Sequence, residues 1–332
     1  MDDKNLTIGD IAEELGVSKT TISRAISGKG RIGEKTRERV LSYIEEHHYR
    51  PNVVARGLAQ NKTYNLAVVL PGDYNVVELP FFQKCMLGIS RVASAHGYDV
   101  LLSMVTTQNT KQLRRAVDNH KIDGAILTRT LAEDEPMKFL LQSDVPFVAI
   151  GSTADERVVQ IDNDHRSACR ELTERLLQSG IRKLALIGSD ESHIVTRNRL
   201  HGFEDALEQS TQWKGSSQIF MNIGNDAQVQ RVVEKLLKDG TECIVSMDDF
   251  LCGCVLNVLQ QRNVMVPEQM QVVSFYDSTL LENRKPSVTS IRFNVEELGQ
   301  KACETLLAML EGEAVEARTL LGYEVRMRNS TK

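Results

Sequence analysis

The chain lacks most of what would make it a membrane protein, a secreted protein or an enzyme. No apolar run in its 332 residues approaches membrane-spanning length. The first residues, MDDKNLTIG, are acidic and polar with no apolar core of a secretory signal, so the expectation is a cytoplasmic protein with no membrane partner. There is no G-x-S-x-G elbow, no phosphate-binding P-loop, no H-E-x-x-H and no G-x-G-x-x-G behind a strand. His47, His48, His193 and His201 stand apart from cysteines or acids at ligand spacing and read as surface or helix-face residues. Six cysteines (Cys85, Cys169, Cys243, Cys252, Cys254 and Cys303) sit mostly in apolar contexts, as reduced core thiols do. Cys252-Gly-Cys254 has no second pair at finger spacing, and residues i and i+2 of a helix diverge. The expectation is therefore no catalysis, no metal and no cofactor.

Net charge, −5 overall, argues by itself against nucleic acid, but its distribution argues for it. From Gly16 to Lys62, ten Lys or Arg face four Glu, a local +6 that leaves −11 for the rest. A basic end on an acidic body suits a DNA-binding module joined to a regulatory one. That basic end carries TIGDIAEELGVSKTTISRAISGKGRI, Thr7 to Ile32. Ile8, Ile11, Ala12 and Leu15 recur at helical spacing, Thr7 can cap them, and Asp10 stands where a capping-box acid would. Gly16 stops this helix because only glycine takes a positive φ without steric cost. Ser18 then caps a second helix that points Ile22, Ala25 and Ile26 inward. Lys19, Thr20, Ser23, Arg24 and Ser27 form its opposite stripe, short donors and two cations suited to base edges and phosphates in a major groove. The plain alternative is a small helical subdomain with a solvated face.

Residues 34–48 predict a third helix with Val40, Leu41, Ile44 and His48 inward. Pro51 can open a short segment in which Val54, Ala55 and Leu58 share a face. It is too short to be a stable helix alone, and Gly57 weakens it further, so it should order only against a partner.

The run TIGDIAEELGVSKTTISRAISG, the TRERV of the third helix, YRPNVVARGLA and the closing RNST (Arg328 to Thr331) resemble the lac repressor family. The resemblance runs over essentially the whole chain. It implies a helix-turn-helix headpiece over 1–50, a hinge helix and linker over 51–62, and a core over 63–332 that binds effector and dimerises. It implies double-stranded operator DNA as partner, with Thr7, Ser18, Lys19, Thr20, Thr21, Ser23 and Arg24 as headpiece contacts. From the hinge it adds Asn52, Ala55 and Leu58, the leucine wedging into the minor groove of a homodimer's operator.

From Leu66 on, short apolar runs alternate with amphipathic stretches. LAVVLP, DVLLSM, GAIL, FVAI and VVQI, then LALIG, IFM, CIVSM, VVSF and VTSIRF, read as strands separated by helices, with further strands near Leu320 and Tyr323–Met327. The fold class expected is α/β: an all-α headpiece, then a two-lobed, doubly wound, periplasmic-binding-protein-like core. The chain should cross between lobes near 161–163 and 290–293. Ligands of such sheets bind beyond the carboxyl ends of the strands. The candidates there are Asp73, Phe81, Asp162, Arg199 (taken to open RLHGF), Asp248, Asp249, Tyr276 and Asp277. Carboxylates, a guanidinium and an aromatic suit sugar hydroxyls and a pyranose face. The resemblance independently assigns effector contacts to Asp162, Arg199 and the end of VVSF. Many relatives place an aspartate directly after that strand's closing aromatic. Here Tyr276 intervenes, so either Asp277 takes the role or Tyr276 does. Gly33 likewise stands where relatives often carry a serine cap.

These readings converge on a sugar-responsive transcriptional repressor acting as a dimer on a palindromic operator. The rivals are a family member whose ligand is a corepressor (a purine or a phosphorylated protein), an exported sugar-binding protein, and a doubly wound enzyme.

Overall fold

In the computed structural model, which describes residues 6–27, 30–47, 49, 57, 62–73, 80–210 and 213–332, the first helix is fixed by its own cap. Thr7 Oγ1 accepts the Asp10 N–H at 3.3 Å and the Asp10 carboxylate accepts the Thr7 N–H at 2.8 Å, the reciprocal pair that opens α1 (Ile8–Glu14). Gly16 takes φ +61° and turns the chain. In α2 (Lys19–Ser27) the Thr21 N–H donates to Ser18 Oγ at 3.1 Å. The third helix, α3 (Glu34–Glu46), starts behind Gly33 with no side-chain cap, the omission expected of glycine there. Ile11, Ala12, Ile22, Ala25 and Val40 are buried among these helices, and an Arg39 guanidinium N–H donates to the Leu15 carbonyl. This unit spans Met1–Thr63 and the second Tyr64–Lys332.

The second unit alternates strand and helix. Its first half runs β1 (Asn65–Pro71), α4 (Pro80–Ala95), β2 (Asp99–Val105), α5 (Lys111–Asp118), β3 (Gly124–Leu127), α6 (Glu135–Leu141), β4 (Phe147–Ile150) and β5 (Val159–Asn163). After α7 (His165–Gln178) come β6 (Lys183–Ile187), α8 (Ile194–Gln209), β7 (Ser216–Phe220), α9 (Asp226–Lys238) and β8 (Cys243–Ser246). Then follow α10 (Asp249–Gln261), β9 (Gln271–Ser274), the short α11 (Thr279–Glu282) and β10 (Thr289–Phe293). The chain ends with α12 (Val295–Leu310), β11 (Arg318–Leu321) and β12 (Tyr323–Arg326).

The strands build two sheets, ordered β11-β5-β4-β3-β1-β2 and β12-β10-β9-β8-β6-β7. All neighbours are parallel except β10 and β12. Parallel sheets need cover on both faces, and β1 shows it: Leu66, Val68 and Leu70 face one apolar cluster, Ala67 and Val69 another. Each lobe closes over one tight helix pair. A Cβ on Gly299 of α12 would stand 2.2 Å from the Cys85 carbonyl of α4, and one on Gly202 of α8 would stand 2.3 Å from the Arg166 carbonyl of α7. Only glycine permits such backbone approach.

The chain leaves the first sheet after Asn163, returns to it after Phe293, and crosses a third time at Gly322, between β11 and β12. Local pattern missed the third crossing because two four-residue strands around one glycine carry no signal of which sheet each joins. Two elements also differ from expectation: α8 begins at Ile194, and α11 is additional. Strand order reverses between β3 and β1 in one sheet and between β8 and β6 in the other. The carboxyl ends at these switch points are where such folds hold ligands.

Candidate functional site

On α2 the buried side is Ile22 and Ala25, while Lys19, Thr20, Ser23 and Arg24 are exposed and Thr21 is half-buried. Three predicted contacts have their hydroxyls engaged locally. Thr7 Oγ1 donates to Asp10 at 2.7 Å, and Ser18 Oγ and Thr21 Oγ1 share a bond of 2.8 Å. Outward chemistry on this helix therefore rests on Lys19, Thr20, Ser23 and Arg24. The Arg24 stem lies along Gly30, where an added Cβ would stand 3.2 Å from Arg24 Cδ. Asn52, Ala55 and Leu58 lie outside the described residues.

At the carboxyl end of β5, Asp162 is buried where the chain leaves the first lobe. Its carboxylate accepts the Ser152 hydroxyl at 2.7 Å and the Asn163 N–H at 2.8 Å, and lies 3.5 Å from His165 Nε2. Burial pushes Asp162 up, but the hydrogen bond and charge of His165, with Ser152 and the Asn163 amide, outweigh it and hold the group below its ordinary range. His165 is itself held below its ordinary value: burial disfavours its charge, Asp162 pulls the other way, and Arg199 repels it. Its ring packs edge-on to Phe293 at 4.6 Å.

Arg199 lies within the second turn of α8, not at a helix start as expected. It is 8% exposed, donates from one terminal nitrogen to the Met247 carbonyl at 2.8 Å, and its Nε has no partner among the described residues. The guanidinium carbon lies 5.7 Å from the centre of the Tyr276 ring. Tyr276 stacks on Phe293 at 6.4 Å, and burial followed by the charge of Asp249 pushes its phenol pKa up. Phe81, half-buried on α4, packs edge-on to Phe82 at 5.1 Å. Asp248 caps α10 by accepting the Leu251 N–H at 2.8 Å, and burial pushes its carboxyl up. Asp249, half-buried, opens the same helix.

Asp277 is engaged within its own lobe. Both of its oxygens are held by the Arg328 fork at 2.8 Å, and Ser290 donates to it at 2.8 Å. Burial is overcome by Arg328 and Ser290, so the group stays below its ordinary range. At the same strand end, the neighbouring Tyr276 has its ring near the Arg199 guanidinium. Asp73 is also engaged, with Arg129 at 2.9 and 3.0 Å. His193 is half-buried. It forms an antiparallel bridge with Leu131, where the Ala132 N–H donates to the Ser192 carbonyl at 2.8 Å and clasps one lobe to the other.

The predicted set thus divides. Asp162, Arg199 and Tyr276 gather around Phe293 and His165, Asp248 and Asp249 border them, and Asp73 and Asp277 pair with Arg129 and Arg328. Pattern reasoning missed His165, Ser152 and Phe293. His165 alone had a local signal, standing three residues after Asp162 at the start of the next helix.

A three-helix unit with an exposed basic stripe, followed by two α/β lobes around a polar, aromatic-walled junction, defines a ligand-responsive DNA-binding regulator. The chain belongs to the LacI family. Residues 7–52 match the bacterial regulatory proteins of the lacI family, and residues 63–324 match the periplasmic binding proteins and sugar binding domain of that family. It is a DNA-binding transcriptional regulator and not an enzyme. Catabolite control protein A of Staphylococcus xylosus is 28% identical over 98% of this chain and 99% of its own. A probable maltose operon transcriptional repressor MalR from Staphylococcus aureus is 26% identical, with TM-score 0.77 over 82% of this chain and 99% of that one. The transcriptional regulator CelR in complex with cellobiose is 26% identical, with TM-score 0.71 over 98% of this chain and 99% of that one. Among the described residues no group of three His, Cys, Asp or Glu could hold a metal ion, and no helix is long and apolar enough to cross a membrane.

Proposed function

We propose that this regulator is a cytoplasmic repressor that binds a palindromic operator as a homodimer and releases it when a sugar enters the junction between the lobes. The observation that carries the sugar reading is Arg199. A buried guanidinium with one carbonyl partner, an Nε without a partner among the described residues and a tyrosine ring beside it is costly to hold unless an acceptor completes it. Vicinal hydroxyls supply acceptors for such a fork, and Tyr276 supplies a face for a pyranose. Asp162, Asp248 and Asp249 are the acceptors for the ligand's own O–H groups, with Phe81 completing the apolar wall. Cellobiose bound to CelR, and the maltose operon served by MalR, lend the class support.

On the DNA side, Lys19, Thr20, Ser23 and Arg24 read base edges and phosphates, while Thr7, Ser18 and Thr21 hold the helix ends that present them. Asn52, Ala55 and Leu58 contact the minor groove, and the segment 51–62 links effector binding to the operator.

The test has two arms. Selection of the purified protein on a randomised palindromic library should yield one motif that Lys19→Ala or Thr20→Ala changes, while Arg24→Ala abolishes binding with the fold intact. A thermal-shift screen against mono- and disaccharides, nucleobases and sugar phosphates should raise the melting point with a neutral sugar. A nucleobase that did so and tightened operator binding would replace the sugar reading with a corepressor.

A further inference from the structure

The closing RNST motif has no part in the function described so far, yet Arg328 is among the most heavily bonded side chains of the second lobe. One terminal nitrogen donates to Asp277 at 2.8 Å, to Ser290 Oγ at 2.7 Å and to the Val288 carbonyl at 2.8 Å; the other donates to Asp277 at 2.8 Å. Its backbone N–H donates to Thr289 Oγ1 at 2.8 Å. The target of this fork adjoins Tyr276. The Asp277 N–H donates to the Ile291 carbonyl at 2.8 Å, and the Tyr276 backbone is pinned on both sides by Ser274, whose Oγ accepts the Tyr276 N–H at 3.2 Å and donates to its carbonyl at 2.7 Å. Asp277 directly follows Tyr276, so what holds Asp277 fixes the backbone on the far side of a ring that lies near Arg199 and stacks on Phe293.

The same segment also reaches the other wall. Before crossing at Gly322, β11 pairs with β5 so that Leu320 stands beside Asp162 and Leu321 beside Asn163, and the Asp164 N–H donates to the Leu321 carbonyl at 3.0 Å. After the crossing, Tyr323 stands beside Phe293, the ring on which Tyr276 and His165 both pack. Residues 318–328 thus form one strap bonded behind both halves of the junction.

We propose that Arg328 is a positioning residue for the effector site: through its fork on Asp277 it fixes the Tyr276 ring against Arg199, so the carboxyl-terminal strap sets the geometry of the wall that a sugar meets. A bidentate guanidinium–carboxylate pair fixes direction as well as distance, which a lysine ammonium in the same place does not. The consequence for sugar recognition rests on the reading of Arg199 and Tyr276 given above. The geometric claim does not.

The test uses the full-length protein with 3-fluorotyrosine at its seven tyrosines, observed by fluorine NMR without any sugar. Tyr276→Phe identifies the Tyr276 resonance by its loss. Arg328→Lys and Asp277→Asn, each conservative in size, should both shift or broaden that resonance. Ser330→Ala is the control, because Ser330 Oγ ties the same tail by donating to the Val272 carbonyl and accepting the Thr289 N–H without touching Asp277. It should lower the melting point and leave the Tyr276 resonance in place. A Tyr276 resonance that moved equally in Ser330→Ala would make Arg328 a general anchor and overturn the proposal. So would a resonance unmoved by both Arg328→Lys and Asp277→Asn. Because no sugar is present, failure of the sugar reading leaves this outcome interpretable.

Discussion

His165 shows how one side chain couples the junction to pH. Burial first, then repulsion by Arg199, hold it below its ordinary 6.5 against the pull of Asp162. The folded chain therefore takes up this proton less readily than the unfolded chain, and protonation favours unfolding. Its contribution to stability is whole above about pH 7 and is lost as the pH falls through its ordinary value towards its folded one. Asp162 and Asp277, both held below 3.8, keep their contributions until the pH falls below that value. Asp248, pushed up by burial, works with the opposite sign and gains on acidification. The melting temperature should fall between about pH 7.5 and about pH 5.5, and His165→Gln should flatten that fall in part, since His193 is also held low. A slope unchanged in His165→Gln would show that this group does not titrate on unfolding. Residue-scale chemistry was the least legible in the sequence. Asp162 could be placed because it closes a strand that reads as a short apolar run, whereas Arg199 lies inside a helix whose start the sequence hid. The pairing of Asp277 with Arg328 could not be read from the sequence, because Arg328 lies fifty-one residues on, in the tail beyond β12, with no periodicity to announce it. Tyr276, an apparent departure from the family pattern, has its ring near Arg199.

Among elements, the two helix pairs make the firmest claims. Gly299→Ala would drive a methyl to within 2.2 Å of the Cys85 carbonyl, so α4 and α12 must separate, at a cost of about 1–3 kcal/mol by overpacking. Gly253, inside α10, has nothing within 4 Å of an added Cβ. Gly253→Ala should stabilise by about 0.5–1 kcal/mol, because alanine loses less backbone freedom in a helix than glycine. Urea unfolding followed by circular dichroism should separate the two in sign; equal shifts of the midpoint would contradict the packing described. Elements were the most legible level. Between Leu66 and Leu310 nearly every strand was a short apolar run between turn residues. The exceptions have physical reasons. The first turn of α8, Ile194-Val195-Thr196, is β-branched and reads poorly as helix. The third crossing hinges on Gly322 alone.

Over the whole molecule, the division of charge anticipated the division of labour, a basic amino-terminal unit and an acidic body. If a sugar and the operator compete for one equilibrium, linkage requires that each weaken the other by the same factor. The most direct measurement is fluorescence anisotropy of labelled operator DNA with the full-length protein, titrated with the sugar that the thermal-shift screen selects. Wild type should release the operator as the sugar rises. Arg199→Ala, altered only in the body, should bind the operator with wild-type affinity in the absence of sugar and keep it at concentrations that empty the wild-type complex. Release of Arg199→Ala at the wild-type sugar concentration would contradict the assignment of the effector site to this junction.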